Sequence, residues 1–207
     1  MALDYEQQFY NKVIKLIVGC DEAGRGCLLG DVFAGAVILP QDFSCELIND
    51  SKQLSEKQRE EAFFIIKEKA IAYGVGRCTA EEIDQINILN ASRLAMERAI
   101  ENMKHDFDMI ITDAVKLDRY DCPKIALIHG DALSQCVAAA SIIAKVSRDH
   151  YCLELDKKYP EYEIAKHKGY GTKIHMEALE KYGPKKGLHR MTYKPVKKFL
   201  TQQIKLF

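Results

Sequence analysis

The stretch "KLIVGCDEAGRGCLLG", Lys15 to Gly30, governs the reading of the whole chain. An apolar, β-branched run from Val13 to Gly19 feeds into adjacent carboxylates, Asp21 and Glu22, and then into the turn Gly24-Arg25-Gly26. A second run of the same kind, "VFAGAVIL" from Val32 to Leu39, follows at once. Two such runs separated by a Gly-rich turn read as neighbouring antiparallel strands. In a regular strand Asp21 and Glu22 point to opposite faces. Both can serve one site only if the strand stops or bulges there, a break that Gly24 and Gly26 supply. A dinucleotide-binding turn is the rival reading. The spacing of Gly24, Gly26 and Gly30 is wrong for it, and a strand stands where the phosphate-binding helix should begin.

Outward from this frame, Ser55 with Gln58 and Thr79 with Glu82 form two capping patterns, each introducing a helix, with the strand-like "IAYGVGRC" between them. A polar helical start precedes the first strand. Strand "DMIIT" ends at Asp113, and strand "KIALIHG" ends just before Asp131. A long apolar helix, "SQCVAAASIIAKVSRDHYCLEL", follows. Strands alternating with helices in this half point to parallel crossover units. Tyr159-Pro160 breaks the pattern. The organisation expected is a body over residues 1–158 and a basic helical module over 159–207, with turns at Lys168-Gly169 and Gly183-Pro184.

The chain has 207 residues and a formal net charge of zero, but the average conceals an asymmetry. From Lys166 to Phe207 there are eleven Lys/Arg against two acids, so this segment carries +9 and the remainder −9. A basic module on an acidic body suits a polyanion gripped by one part and processed by the other, although a solvated helical face has the same composition. Seven scattered cysteines without a CxxC pair give neither a disulfide framework nor a zinc site and fit a reducing cytoplasm. The acidic start "MALDYEQQFY" and the short apolar runs do not resemble an export signal or a membrane span.

Four acids thus occupy comparable positions: Asp21, Glu22, Asp113 and Asp131. If their strands share a sheet edge, the carboxylates converge there, and two Mg²⁺ or Mn²⁺ ions would balance four negative charges. An all-oxygen donor set favours those hard ions over zinc. Two such metals can activate a water and stabilise the leaving oxygen of a phosphodiester displacement. Each acid also has a plainer role: Asp131 can cap the next helix through the Ser134 amide, Asp113 can stabilise a turn, and Asp21 and Glu22 can be loop acids.

At this point the motifs "GCDEAGRG", "DSKQLS", "IITDA", "HGDA", "AAASIIAKVSRD", "HKGYGT" and "GLHRMTY" closely resemble the type 2 ribonucleases H, known in bacteria as ribonuclease HII. The resemblance runs from Val18 to about Tyr193. It implies an α/β fold, a ribonuclease H-like mixed sheet flanked by helices, with a C-terminal helical module. It also implies metal-dependent hydrolysis of RNA paired with or joined to DNA. Cleavage would fall on the 5′ side of a ribonucleotide and leave 3′-hydroxyl and 5′-phosphate ends. Single ribonucleotides embedded in duplex DNA, the target of ribonucleotide excision repair, would be the characteristic substrate.

Carried over by motif, Asp21, Glu22, Asp113 and Asp131 resemble the catalytic metal-binding acids. Gly24, Arg25 and Gly26 correspond to the turn whose backbone senses the ribose 2′-hydroxyl, the group that separates RNA from DNA. Tyr170 matches a tyrosine stacking on the next sugar and requiring it to be deoxyribose; packing of the C-terminal module is its plainer role. Lys52 resembles a phosphate contact, and is equally an ordinary exposed lysine beside a helix cap. The sequence departs from the family pattern at Asp31, where proline is common, at Ala114, where bacterial members usually have glycine, and at His129 and Leu133, where lysines often flank the fourth acid. These departures bear on efficiency and phosphate binding rather than on the acids.

The extreme C-terminus, Gln203-Ile204-Lys205-Leu206-Phe207, resembles the short peptide by which bacterial repair proteins dock on the sliding clamp. Val196, Leu200, Ile204 and Phe207 also form one stripe at helical spacing, which packs on the body in the alternative reading. A cytoplasmic monomer with no membrane role is expected.

Overall fold

The computed structural model describes residues 3–48 and 54–203, the last three as backbone only. Five strands form one mixed sheet: β1 (Ile17–Ala23), β2 (Val32–Ile38), β3 (Ala72–Cys78), β4 (Met109–Asp113) and β5 (Lys124–Leu127), in the order β3-β2-β1-β4-β5. β1 pairs antiparallel with β2, and β2 with β3, whereas β1–β4 and β4–β5 are parallel. The antiparallel opening and the parallel second half both follow the sequence reading. Among the described residues, no helix is long and apolar enough to cross a membrane.

Helices cover both faces of this sheet. α2 (Ala80–Met103) lies on one face, where Val18, Cys20, Ala34 and Ala36 meet Ala91, Ala95, Met96 and Ala99. α3 (Gln135–Lys158) lies on the other, where Ile17, Val37 and Ile111 meet Val137, Ala140 and Ile143, with α1 (Glu56–Lys69) packed against α3. Alternate residues of β1 thus feed opposite cores, the period of two that a sheet buried on both faces demands. The capping boxes form as spelled: Ser55 with Gln58 opens α1, and Thr79 with Glu82 opens α2. α2 is kinked at Asn87, whose φ of 64° is non-helical.

Three boundaries differ from the sequence reading. The polar N-terminal segment is a 3₁₀ helix, Tyr5–Phe9. β1 does not break at its acids: Asp21, Glu22 and Ala23 keep regular register with Gly35, Ala34 and Phe33 of β2, and the turn begins only at Gly24. β5 stops at Leu127, short of Asp131. His129, with φ 57°, turns the chain into a single 3₁₀ turn, Gly130–Ala132, so Asp131 is a turn residue and not a strand-end residue. Ser134, rather than Asp131, supplies the N-cap of α3.

Beyond Lys158 the chain forms a 3₁₀ turn (Pro160–Tyr162), α4 (Ile164–His167), α5 (Lys173–Tyr182) and α6 (Lys194–Gln203). A separate small core of Leu29, Cys152, Tyr162, Ile164, Ala178 and Leu188 joins these helices to the end of α3. Val196 is fully buried, and Leu200 is half-buried.

Candidate active site

β1 outruns its parallel neighbour. The last β1–β4 pair is Cys20 with Thr112, so Asp21 and Glu22 stand where β4 no longer flanks them. This resolves the alternation problem, because at an open sheet end both faces reach one cleft. That cleft, of about 330 Å³, is lined by Asp21, Glu22, Ala23, Gly24, Arg25, Gly26, Arg59, Asp113, Ser141, Lys145 and Tyr170. Three of the four acids read from the sequence therefore converge with the Gly-Arg-Gly turn and the tyrosine. Asp131 does not line the cleft; it is buried one residue beyond Gly130, whose amide donates to Asp113 Oδ1 at 2.9 Å. Lys52, Ile204, Lys205, Leu206 and Phe207 lie outside the described residues.

The acids are electrostatically uncomfortable. Burial pushes the Asp21 carboxyl well above the usual range, and the neighbouring Glu22 charge adds to it, against the relief of a hydrogen bond from Ser141. Burial likewise raises Glu22, opposed chiefly by Arg25, whose Nη1 donates to Glu22 Oε1 at 3.1 Å. Glu22 Oε2 is buried and has no hydrogen-bond partner among the described residues. An orphaned buried oxygen beside two further carboxylates, in a donor set made only of oxygen, fits a hard divalent cation. No three His, Cys, Asp or Glu among the described residues already stand at metal-holding geometry.

Cations frame the cleft. Lys145 bonds Asp149 Oδ1 at 2.7 Å, and Arg59 donates to the Leu54 carbonyl at 2.7 Å. Neither was singled out in the sequence, nor was Ser141. Yet Ser141, Lys145 and Arg148 follow at helical spacing through the otherwise apolar α3, and that polar stripe was the available signal.

The turn beside the acids is held from two sides by buried arginines. Arg148, 1% exposed, donates Nε to Asp31 O (3.2 Å), Nη1 to Lys168 O (2.8 Å) and Nη2 to Leu29 O (3.3 Å). Arg190, fully buried, donates to Gly30 O (3.0 Å), Arg25 O (2.9 Å) and the Tyr193 hydroxyl (3.2 Å). Gly24, with φ +97°, packs so closely on Arg148 that a Cβ there would sit 2.1 Å from Nε. Its missing side chain is thus required by the fold. A Cβ on Gly26 would meet nothing within 4 Å, so the open space above the turn lies there. Main-chain bonds complete the seam: Leu28 N to Gly169 O, Gly30 N to Leu188 O and Arg190 N to Leu28 O, each 2.8–3.0 Å. Tyr170 is thereby set next to the turn with 45% of its surface exposed.

Among the departures, Asp31 is buried, accepts from the Tyr151 hydroxyl (3.0 Å) and pairs with Arg77 at 3.6 Å; burial raises its carboxyl pKa. Ala114 adopts φ 53°, a left-handed conformation that glycine takes without strain. Leu133 is partly exposed.

The family model of ribonuclease HII matches residues 18–196. A ribonuclease HII of Acetivibrio thermocellus is 52% identical over 179 residues, covering 86% of this chain and 70% of that protein. The crystal structure of ribonuclease H2 from Pyrococcus horikoshii superposes with a TM-score of 0.78 at 27% identity, over 92% of this chain and 99% of that one. The RNase HII of Archaeoglobus fulgidus, solved as a complex with PCNA, gives 0.72 at 25% identity, over 86% and 95%.

Proposed function

The chain belongs to the ribonuclease HII family, a ribonuclease H hydrolase, and from that premise we propose that it cuts the phosphodiester 5′ to a ribonucleotide, in RNA/DNA hybrids and at single ribonucleotides within duplex DNA, leaving 3′-hydroxyl and 5′-phosphate ends. The observation that carries this reading is the meeting of Asp21, Glu22 and Asp113 with Gly26 and Tyr170 around one cleft.

Asp21, Glu22 and Asp113 would hold two divalent ions, Mg²⁺ or Mn²⁺, with Asp131 joining them as its motif implies. When bound, such ions supply Lewis acidity and an activated water for in-line displacement. The chain's own residues do the rest. Arg25, Arg59 and Lys145 offer positive charge to the phosphates on either side of the bond. The turn at Gly26 leaves room for a ribose to approach main-chain groups that sense its 2′-hydroxyl. Tyr170 presents a flat face on which the following sugar stacks, and a 2′-hydroxyl on that sugar would crowd it. Lys52 would add a further phosphate contact. The segment beyond Lys158, with its excess of Lys and Arg, acts as the basic substrate-gripping module. Gln203 to Phe207 would dock the enzyme on a sliding clamp, as the archaeal relative's complex with PCNA favours.

The test compares three duplexes in Mg²⁺ and in Mn²⁺: one with a single embedded ribonucleotide, one with an all-RNA strand, and one of DNA alone. A single cut 5′ to the ribonucleotide, with the DNA duplex intact, is expected; cleavage of the DNA duplex, or none at the ribonucleotide, overturns the reading. In the same assay Tyr170→Ala loses more activity at the isolated ribonucleotide than on the hybrid, and equal losses would assign Tyr170 to packing.

A further inference from the structure

Three histidines lie buried behind the cleft, each at most 4% exposed: His167, His175 and His189. Their hydrogen bonds fix every proton. The Lys185 amide donates to His189 Nδ1 (3.0 Å), so His189 carries its proton on Nε2. That proton faces His175 Nε2 at 3.3 Å, which must accept, leaving His175 protonated on Nδ1. His175 Nδ1 in turn donates to the Tyr170 carbonyl at 2.9 Å. His167 lies flat on His175, with ring centres 4.2 Å apart and planes 9° off parallel. It accepts from the Gly169 amide and donates to the Tyr162 carbonyl, and its own carbonyl receives the Tyr170 amide at 2.9 Å. The Tyr170 main chain is therefore held on both sides, its N–H by His167 and its C=O by the Thr172 amide (2.9 Å) and by a two-ring chain that begins at Lys185.

We propose that His175 and His189 are positioning residues for sugar recognition: their relay fixes the Tyr170 main chain beside the Gly24–Gly26 turn, so that the ring meets the sugar at a set height. The inference rests on the reading of Tyr170 as the sugar-stacking residue. A ring with two rotatable side-chain bonds is only as well placed as the peptide that carries it. Burial keeps both rings neutral, as the relay requires, by lowering His175 to about 4 and His189 to about 3. Neither histidine lines the cleft, so neither touches the reacting atoms.

The experiment measures kcat/KM on the single-ribonucleotide duplex and on the all-RNA hybrid, and takes their ratio. His175→Leu should lower that ratio about three- to tenfold, the worth of one neutral hydrogen bond. His175→Asn, which keeps a donor near the Nδ1 position, should restore it to within about twofold of the parent. In a Tyr170→Ala background, His175→Leu should change the ratio no further. Equal losses on both substrates, or no rescue by His175→Asn, overturns the proposal. If His175→Leu does not fold, His189→Asn keeps the acceptor for Lys185 and removes the donor to His175 together with the ring contact to Tyr162; the same fall in ratio is expected, and an unchanged ratio overturns it. Hydrogen exchange of the Tyr170 amide separates the two layers of the inference. Should Tyr170→Ala itself leave the ratio unchanged, the sugar reading fails. Unchanged exchange in His175→Leu shows instead that the relay does not hold the peptide.

Discussion

The carboxylate end of the sheet and the seam that backs it are built on opposite plans. In the cleft, Asp21 and Glu22 are buried against each other and against the charge of Asp113, and Glu22 Oε2 is left unpaired. A few residues away, Arg148 and Arg190 place their donors on five main-chain carbonyls, and three histidines pair every ring nitrogen. One region crowds carboxylates together; the other satisfies nearly all its buried groups, with Arg190 Nη2 left without a partner among the described residues. In the proposed reading chemistry belongs to the first and selectivity to the second, because turnover needs a site that gains from binding, and sugar discrimination needs a frame that does not yield.

The widest test of that contrast is removal of a charge from the cleft. Asp21→Asn or Asp113→Asn should lower metal-dependent cleavage by about a thousandfold while the protein stays folded. Stability should move the other way for Asp21. Its folded-state carboxyl titrates above its unfolded value, so the folded protein binds more protons between the two and loses stability as pH rises through that window. That loss grows as pH rises through the window, and asparagine removes it. The metal-free Asp21→Asn protein should melt about 3 °C higher, equivalent to ~1 kcal/mol. A lower melting temperature would show that the cleft is not strained by charge. Asp131→Asn decides whether the fourth acid belongs with the others: a comparable loss of cleavage includes it, and near-normal turnover confines it to the 3₁₀ turn.

The seam should respond with the opposite sign. Arg148→Met deprives the carbonyls of Leu29, Asp31 and Lys168 of their buried donors. It should cost roughly 3 kcal/mol, a fall of about 6–12 °C in melting temperature. Metal affinity should change little, since none of these carbonyls lines the cleft. Thermal melts with and without Mg²⁺ check both halves. A loss of metal stabilisation larger than the loss of fold would merge the two regions into one.

How much of this was legible in the sequence follows from the same contrast. The cleft announces itself locally: a strand running into Asp21-Glu22, a second ending at Asp113, and a Gly-rich turn between two β-branched runs each carry their signal within a few residues. Where the reading slipped, the cause was non-local. The strand continues through its acids because β2 pairs with them to Ala23, and they share a cleft because β4 stops flanking them after Cys20. Asp131 left its strand end because His129 turns left-handed. Arg148, Arg190 and the histidines stand in recognisable motifs, but nothing local in those motifs shows what the side chains hold. Arg190 reaches Arg25 and Gly30 across some 160 residues of chain, and only the fold brings them together.

The smallest expected effect sharpens the comparison by asking whether the cleft's strain extends to its backbone. Ala114 directly follows Asp113, holds φ 53° and donates its amide to Leu127 O at 3.0 Å. A left-handed alanine costs about 1–2 kcal/mol relative to its ordinary conformation. Glycine takes it freely but is penalised by roughly 0.5–1 kcal/mol of additional chain entropy on folding. Ala114 is exposed, so its methyl group packs against little that could offset the strain. Ala114→Gly should therefore stabilise the protein by about 0.5–1 kcal/mol, or roughly 1–4 °C in melting temperature, with cleavage within about twofold of the parent. A lower melting temperature would mean that the entropy term exceeds the strain, and the cleft's frustration would then be electrostatic alone.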